Sequence, residues 1–379
     1  MPLKVCHVVP GLHAAGAELM AYRLMKYWSQ QGGRFDFSVI SLFHDGPVRR
    51  KLEALSIPTH LLSISKNSPR LAAGLWSLYG LMRRLQPDVV QTWTYHGDLL
   101  GGLAARAATK ARVVWNIRHS TLDPEIETQT ILRSARLGSW FSKIVPDSIV
   151  LNSHSAMQTH IDFGYYDAGM RVIPNGFDLD LFRPSQRHRV EVRRELGLHP
   201  KTPLVGLLAR FHVDKNHKSF VEGARIIHAR VPEAHFVCAG LNITWENKLL
   251  VDWIDDAGLR SRFHLLDIRA DAHRLQSAFD VGVCCSRTEA FPNVVGEAMA
   301  CGVPCVVTDV GDCARLVGDT GVIIEAGDTV ALAAGIGKLL LENAAGRARR
   351  AAEARSIMES RYSLSVVSET YGELWAEGR

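Results

Sequence analysis

The chain has 379 residues, of which 47% are hydrophobic and 22% charged, the composition of an ordinary soluble globular protein with room for two domains. Short-period repeats and apolar stretches of 18 residues are missing from the sequence, which excludes a solenoid and a transmembrane helix, and the N-terminus lacks the features of a signal peptide. The net charge is +5, and residues 1–172 hold 19 Lys and Arg against 12 Asp and Glu, so this half suits an anionic partner or simply promotes solubility.

The first half of the chain alternates β-branched runs with segments of helical length. Predicted helices fill the gaps between strands, for example 71–85 and 98–108. The predicted strands are residues 4–10, 35–41, 58–64, 88–93, 112–118 and 148–153. Strands that alternate with helices in this way predict a mostly parallel, doubly wound α/β sheet.

A second series of the same kind begins near residue 203. Its predicted strands are residues 203–210, 235–240, 262–267, 280–286, 304–309 and 321–325. The segment 173–188 between the series is rich in turn-forming residues, which predicts an interdomain crossover. The predicted domains are therefore 1–172 and 189–361, and a C-terminal helix, 362–379, packs back on the first domain. Doubly wound sheets bind ligands beyond the carboxyl ends of their strands, which predicts a site at the domain interface.

A glycine-containing turn follows the first strand, in the run from Gly11 to Glu18. A turn of this kind before a helix binds anions through backbone N–H groups, although it also serves as a plain strand–helix connection. The dinucleotide-binding pattern requires a glycine where His13 stands, which disfavours a nicotinamide-dependent oxidoreductase. We expect Gly16 to let the backbone approach a phosphate or a transferred sugar.

Arg210 and Lys215 follow the first strand of the second series. At the carboxyl end of that strand they would neutralise the charge on a departing nucleoside diphosphate, or they are ordinary solvated loop charges. Glu289 follows a later strand, and Glu297 lies two turns down the next predicted helix. Two carboxylates so placed can accept hydrogen bonds from the hydroxyls of a sugar and of a ribose, and a buried carboxylate is costly without such partners.

The patterns G-x-x-x-x-G-A-E, R-x-x-x-x-K and E-x-x-x-x-x-x-x-E, with Ile-Pro-Asn-Gly-Phe-Asp at 173–178, occur in an order that resembles family 4 of the retaining GT-B glycosyltransferases. The resemblance covers nearly the whole chain, and the double-glutamate pattern within 289–312 is its most specific part. It implies two Rossmann-like domains facing each other across a cleft, a nucleotide-diphosphate sugar of UDP or GDP type as donor, no metal or other cofactor, and retention at the anomeric carbon. In one departure, Ala15 stands where family members often have a glycine.

Carried over by position, the resemblance assigns the donor diphosphate to Arg210 and Lys215. It assigns hydroxyls of the donor sugar to Glu289 and those of the ribose to Glu297. It also implies that His119 lies near the sugar, the alternative being a hydrogen-bonded loop histidine. The remaining implied donor contacts are Gly16, Phe291, Asn293 and Val294.

These features predict a hexosyltransferase of polysaccharide biosynthesis that acts on a hydroxyl of a glycan, lipid-linked or small-molecule acceptor. The side chains expected on the acceptor side are Trp93, Tyr95, His96, Arg118 and Ser120. The alternatives are a nucleotide-sugar epimerase, hydrolase or phosphorylase of similar architecture, and an inactive subunit that binds a nucleotide sugar. We expect a cytoplasmic protein, peripheral at the inner face of the membrane through its basic first domain, that does not bind nucleic acid. The seven cysteines form no C-x-x-C pair, which predicts buried reduced thiols.

Overall fold

The computed structural model describes residues 1–14, 16–64, 70–124 and 127–378. The chain forms two compact units, one of Met1–Gly176 with Leu364–Arg379 and the other of Phe177–Ser363. The boundary between Gly176 and Phe177 therefore lies within the segment 173–188, the predicted interdomain crossover. Ala15, the departure from the family pattern, lies outside the described residues.

The first unit is built on one parallel sheet. Its strands are β1 (Leu3–Gly11), β2 (Phe35–His44), β3 (Thr59–Leu61), β4 (Val89–Thr92), β5 (Arg112–Ile117), β6 (Ser148–Leu151) and β7 (Met170–Val172). They pair in the order β3-β2-β1-β4-β5-β6-β7. Its first helices are α1 (Gly16–Gln30), α2 (Val48–Glu53), α3 (Arg70–Leu85), α4 (Thr94–His96), α5 (Gly102–Ala108), α6 (Gln129–Phe141) and α7 (His154–Phe163), and a π-helical turn, Gly97–Gly101, joins α4 to α5.

Both faces of this sheet are covered, which explains why its strands are almost continuously apolar. One buried cluster joins the sheet to α1 and includes Leu24 and Met25. The other joins the opposite face to α3, α5, α6 and α7, and includes Leu78 and Met82 of α3.

The second unit repeats this architecture. Its strands are β8 (Leu204–Leu208), β9 (His235–Ala239), β10 (Phe263–Leu265), β11 (Val281–Cys284), β12 (Cys305–Thr308) and β13 (Val322–Ile324), in the parallel order β10-β9-β8-β11-β12-β13. Its helices are α8 (Gln186–Glu195), α9 (His217–His228), α10 (Lys248–Asp256), α11 (Ala272–Ala278), α12 (Asn293–Ala300), α13 (Cys313–Val317), α14 (Thr329–Leu340) and α15 (Ala344–Ile357). Shorter helical turns are Val213–Lys215, Gly318–Thr320 and Met358–Tyr362. The two parallel-sheet units confirm the predicted fold class.

The last helix, α16 (Leu364–Ala376), belongs to the first unit. The Trp375 indole donates to the Gln91 side chain at 3.0 Å, and the Trp28 indole of α1 donates to the carbonyl of Ser368 at 3.1 Å. Both rings are buried, so these bonds satisfy donors that would otherwise be costly to bury. The predicted return of the C-terminal helix to the first domain is confirmed.

Two details differ from the predictions. The strand β7, of three residues at the edge of the sheet, was not predicted, because so short a run has no readable alternation. The predicted helix 98–108 begins as a π-helical turn, a rare conformation that periodicity does not indicate. All seven cysteines are buried and free, as predicted. In the described part of the chain, every helix is too short or too polar to cross a membrane.

Candidate functional site

A pocket of about 230 Å³ in the second unit lies at the carboxyl ends of β8 and β11. These strands are neighbours in the sheet although three helices, two strands and a helical turn separate them in the chain. The winding of the sheet reverses at this point, and open α/β sheets bind their ligands at such reversals. The lining includes five of the residues predicted from the sequence: Lys215, Glu289, Phe291, Asn293 and Val294.

Lys215 and Glu289 form an ion pair in this pocket, through Nζ and Oε1. The Ser286 hydroxyl donates to the same carboxylate oxygen at 2.7 Å. The Lys215 side chain is 23% exposed and that of Glu289 is 14% exposed. Water screens charges at such a place less than it does on the open surface. The pocket therefore holds a cation and a carboxylate where each can act on a polar ligand.

Backbone hydrogen bonds connect the loops that carry this pair. The N–H of Arg287 donates to the carbonyl of Asp214 at 2.7 Å, which joins the Glu289 loop to the helical turn that ends at Lys215. The Thr308 hydroxyl, at the end of β12, donates to the carbonyl of Ser286 at 2.7 Å. Three consecutive strands of the sheet therefore set the position of one ion pair.

Gly311, which follows β12, packs against the same loop. Its φ is +58°, in the region that favours glycine, and a β-carbon there would lie 2.2 Å from the carbonyl oxygen of Glu289. The next N–H, of Asp312, donates to the carbonyl of Ala290 at 3.1 Å. Only a residue without a side chain allows this close approach.

The first turn of α12 forms another wall of the pocket. Asn293 and Val294 lie in this turn and line the pocket, and the partial positive charge of a helix N-terminus suits a phosphate there. Pro292 precedes the helix and has no N–H to donate. Glu297 lies one turn further along α12, half-buried and outside the pocket lining.

Arg210 is exposed on the loop that follows β8, and it is not among the lining residues of the pocket. The neighbouring Gly240 packs against this loop, and a β-carbon there would lie 2.3 Å from the carbonyl oxygen of Ala209. The structure thus fixes the backbone before Arg210, but it does not bring the guanidinium together with Lys215 and Glu289.

Two predicted site residues, Gly16 and His119, belong to the first unit. A β-carbon at Gly16 would contact nothing within 4 Å, so the packing of the unit does not itself require a glycine there. His119 follows β5, and its Nε2 lies 3.6 Å from Oε1 of Glu127. Burial lowers the pKa of His119, and Glu127 opposes that effect.

Two aromatic residues expected on the acceptor side are instead part of the core. Trp93 is fully buried, and its indole donates to Nδ1 of His7 at 3.1 Å. The Tyr95 hydroxyl forms a hydrogen bond of 2.7 Å with Nε2 of His160. That expectation was wrong because polar atoms inside the unit satisfy both aromatic side chains, which the sequence alone does not reveal.

Sequence reasoning also missed two residues of the site, Ser286 and Gly311. Ser286 ends a predicted strand directly before the Glu289 loop, and this position is a usable signal. Gly311 stands in a Val-Gly-Asp turn after another strand. A turn glycine is common, however, and its contact with Glu289 is visible only in the fold.

The chain matches two family models. Residues 14–181 match Glycosyltransferase Family 4, and residues 202–342 match Glycosyl transferases group 1. Among curated proteins, it is 27% identical over 315 residues to the UDP-Gal:alpha-D-GlcNAc-diphosphoundecaprenol alpha-1,3-galactosyltransferase of Escherichia coli, covering 81% of this chain and 80% of that protein. It is 26% identical to the putative glycosyltransferase EpsF of Bacillus subtilis, covering 81% and 79%.

Solved structures share the fold over almost the whole length. HepE of Anabaena, crystallised with UDP-glucose, superposes with a TM-score of 0.83 at 23% identity and covers 98% of this chain and 99% of its own. A glycosyltransferase from Rickettsia africae superposes with a TM-score of 0.85 at 16% identity, covering 99% and 98%. The two family models, one on each unit, and the curated relatives show that this chain belongs to the glycosyltransferases of the group 1 and family 4 type.

Proposed function

We propose that this glycosyltransferase is retaining and metal-independent, and that it moves a hexose from a UDP-sugar to a hydroxyl of a lipid-linked, diphosphate-bearing glycan acceptor. The observation that carries the donor half of this proposal is the Lys215–Glu289 pair beside the first turn of α12. A cation and a helix N-terminus suit a diphosphate, and a carboxylate that already accepts from a hydroxyl suits a sugar.

The comparisons support the choice of substrates. The Anabaena protein was crystallised with UDP-glucose, and the E. coli relative is named for UDP-galactose and for an acceptor linked to diphosphoundecaprenol. Both donors carry uridine diphosphate, which favours UDP over GDP. The basic first unit suits a diphosphate-linked acceptor.

In the proposed reaction, the bond between the anomeric carbon and the diphosphate breaks and leaves an oxocarbenium-like sugar. Lys215 stabilises the negative charge that develops on the departing UDP, together with the N-terminus of α12. Glu289 orients the sugar through its hydroxyls. The acceptor hydroxyl attacks from the face that UDP leaves, and a diphosphate oxygen takes its proton, so that the anomeric configuration is retained.

Four further residues keep their assigned roles as proposals that rest on the family resemblance. Glu297 binds the ribose hydroxyls, and Arg210 reaches the diphosphate from its exposed loop. Gly16 and His119 contact the donor sugar.

The test is a transfer assay with UDP-glucose, UDP-galactose and a polyprenyl-diphosphate-linked N-acetylglucosamine acceptor, in the presence of a chelator. We expect transfer without added metal, and NMR of the product should show the anomeric configuration of the donor. Lys215→Ala should lower kcat by about 10²–10³-fold, because it removes a preorganised cation from the leaving group.

Lys218→Ala is the matched control. Lys218 lies three residues away, is 60% exposed and lies 3.9 Å from Glu222, so its loss should leave kcat unchanged. Equal rates in the Lys215 and Lys218 variants, or a product of inverted configuration, would contradict the proposed mechanism. UDP release without a glycosylated product would favour a hydrolase instead.

A further inference from the structure

The outer side of three helices in the first unit combines exposed apolar side chains with a single sign of charge. The helices are α3, α5 and α6, and they pack on the same face of the sheet. α3 packs against α5, while α6 packs against α4 and the π-helical turn. Their outer sides therefore form one surface, called here the basic face: residues 70–85, 102–110 and 129–144.

These three segments contain eight Lys and Arg and no Asp or Glu. Arg106 is paired with Asp147 from outside the segments, at 2.7 Å. Among the described residues, no carboxylate lies within 4.0 Å of the exposed side chains of Arg83, Arg84, Lys110 or Arg133. With respect to the described residues, the basic face thus keeps an uncompensated positive charge.

The same surface exposes large apolar side chains. Trp76 is 75% exposed, Trp140 69% and Ile144 68%. On α6, exposed Arg133, Leu137 and Trp140 recur at spacings of four and three residues, so they lie along one side of the helix. Trp76 and Arg83 of α3 are seven residues apart and likewise share the outer side.

A basic residue near a helix C-terminus also stabilises the helix dipole, and this effect explains part of the charge pattern. It does not explain exposed tryptophan and isoleucine beside those cations. Tryptophan prefers the membrane–water interface, and Lys and Arg are attracted to anionic lipid headgroups. The positive charge of the basic face therefore favours an anionic partner, and its exposed apolar side chains favour a partner with an apolar interior.

We propose that the basic face docks on the surface of an anionic lipid bilayer, with Trp140 and Ile144 inserted among the headgroups. Such docking would hold the enzyme beside a lipid-linked acceptor. The proposal does not depend on the donor chemistry, because it uses none of the residues of the pocket.

The test is flotation of the full chain with vesicles of phosphatidylcholine alone and of phosphatidylcholine with phosphatidylglycerol in equal parts. We expect binding to the anionic vesicles only, a blue shift of the tryptophan fluorescence, and release at high salt. Arg83→Glu with Arg84→Glu should weaken partitioning at least about 30-fold, which is about 2 kcal/mol at about 1 kcal/mol per cation. Trp140→Ser with Ile144→Ser should weaken it about tenfold or more.

Matched controls come from exposed residues of the second unit. Lys201→Glu with Arg230→Glu makes the same change of charge, and Val330→Ser with Leu341→Ser removes apolar side chains that are 69% and 70% exposed. Both controls should float like the parent. UDP-dependent thermal stabilisation of every variant reports separately on the donor site.

Four results would overturn the proposal. The parent protein could fail to float with the anionic vesicles, or it could float equally well with phosphatidylcholine alone. The basic-face variants could float as well as the controls. If light scattering shows that the parent is a dimer and that these substitutions make it a monomer, the partner of the basic face is a second copy of the chain.

Discussion

Replacing Gly311 by alanine tests how the structure positions the Glu289 carboxylate. The new β-carbon would lie 2.2 Å from the carbonyl oxygen of Glu289 and 2.8 Å from that of Ala290, whereas ordinary contacts begin near 3.4 Å. The Glu289 loop must therefore move by about 1 Å, and a displacement of this size at a reacting centre costs about 10²-fold in rate. We expect kcat to fall by about that factor.

Gly258→Ala separates this displacement from backbone strain. Gly258 has a φ of +69°, similar to that of Gly311, but a β-carbon there would contact nothing within 4 Å. Both substitutions should cost about 1 kcal/mol or more of folding stability for the left-handed conformation. Only Gly311→Ala should lose activity as well. Steady-state transfer rates and thermal unfolding of both variants make the comparison, and a fully active Gly311→Ala enzyme would show that this glycine does not position the Glu289 carboxylate.

Three further predictions concern single substitutions. Ser286→Ala removes a hydroxyl that donates to Glu289, and it should lower the rate about fivefold, or about 1 kcal/mol, with little change in UDP affinity by calorimetry. Burial raises the pKa of Asp98 from 3.8 to about 7. The protonated carboxyl therefore makes its full contribution to folding stability below pH 4, and this contribution is lost as the pH rises to 7. The free energy of unfolding of Asp98→Asn, measured in urea, should therefore rise relative to that of the parent by up to about 4 kcal/mol between pH 4 and pH 8. Parallel pH profiles of the two proteins would contradict this. Gly206→Ala would place a β-carbon 2.1 Å from the Phe279 ring, and it should cost about 1–3 kcal/mol in the same measurement. A Gly206→Ala protein as stable as the parent would show that the ring can move.

The parts of the fold that depend on local patterns could be predicted from the sequence. The long buried strands β1 and β5 have apolar runs bounded by polar residues, and their position follows from that alone. Lys215 and Glu289 each follow a strand of the second series. Because the carboxyl ends of parallel strands meet at one edge, their proximity was predictable.

The remainder depends on tertiary packing. Trp93 ends the predicted strand 88–93 and Tyr95 follows it, so the sequence places both beside the expected acceptor side. Hydrogen bonds to His7 and His160 instead hold them inside the unit. The contact of Gly311 with Glu289 joins residues 22 positions apart through two strand ends. The spacing of residues in the sequence does not indicate such contacts. They nevertheless determine how firmly the side chains of the pocket are held in position.

The donor site is tested most directly by UDP binding to the full chain and to its Lys215→Ala and Lys218→Ala variants, measured by thermal unfolding. At 100 times its Kd, UDP should stabilise the parent by about 2.7 kcal/mol, without added metal. We expect the same stabilisation for Lys218→Ala and a much smaller one for Lys215→Ala at the same UDP concentration. Equal stabilisation of both variants, or none of the parent protein, would contradict the assignment of the pocket at Lys215 and Glu289 to the nucleotide sugar.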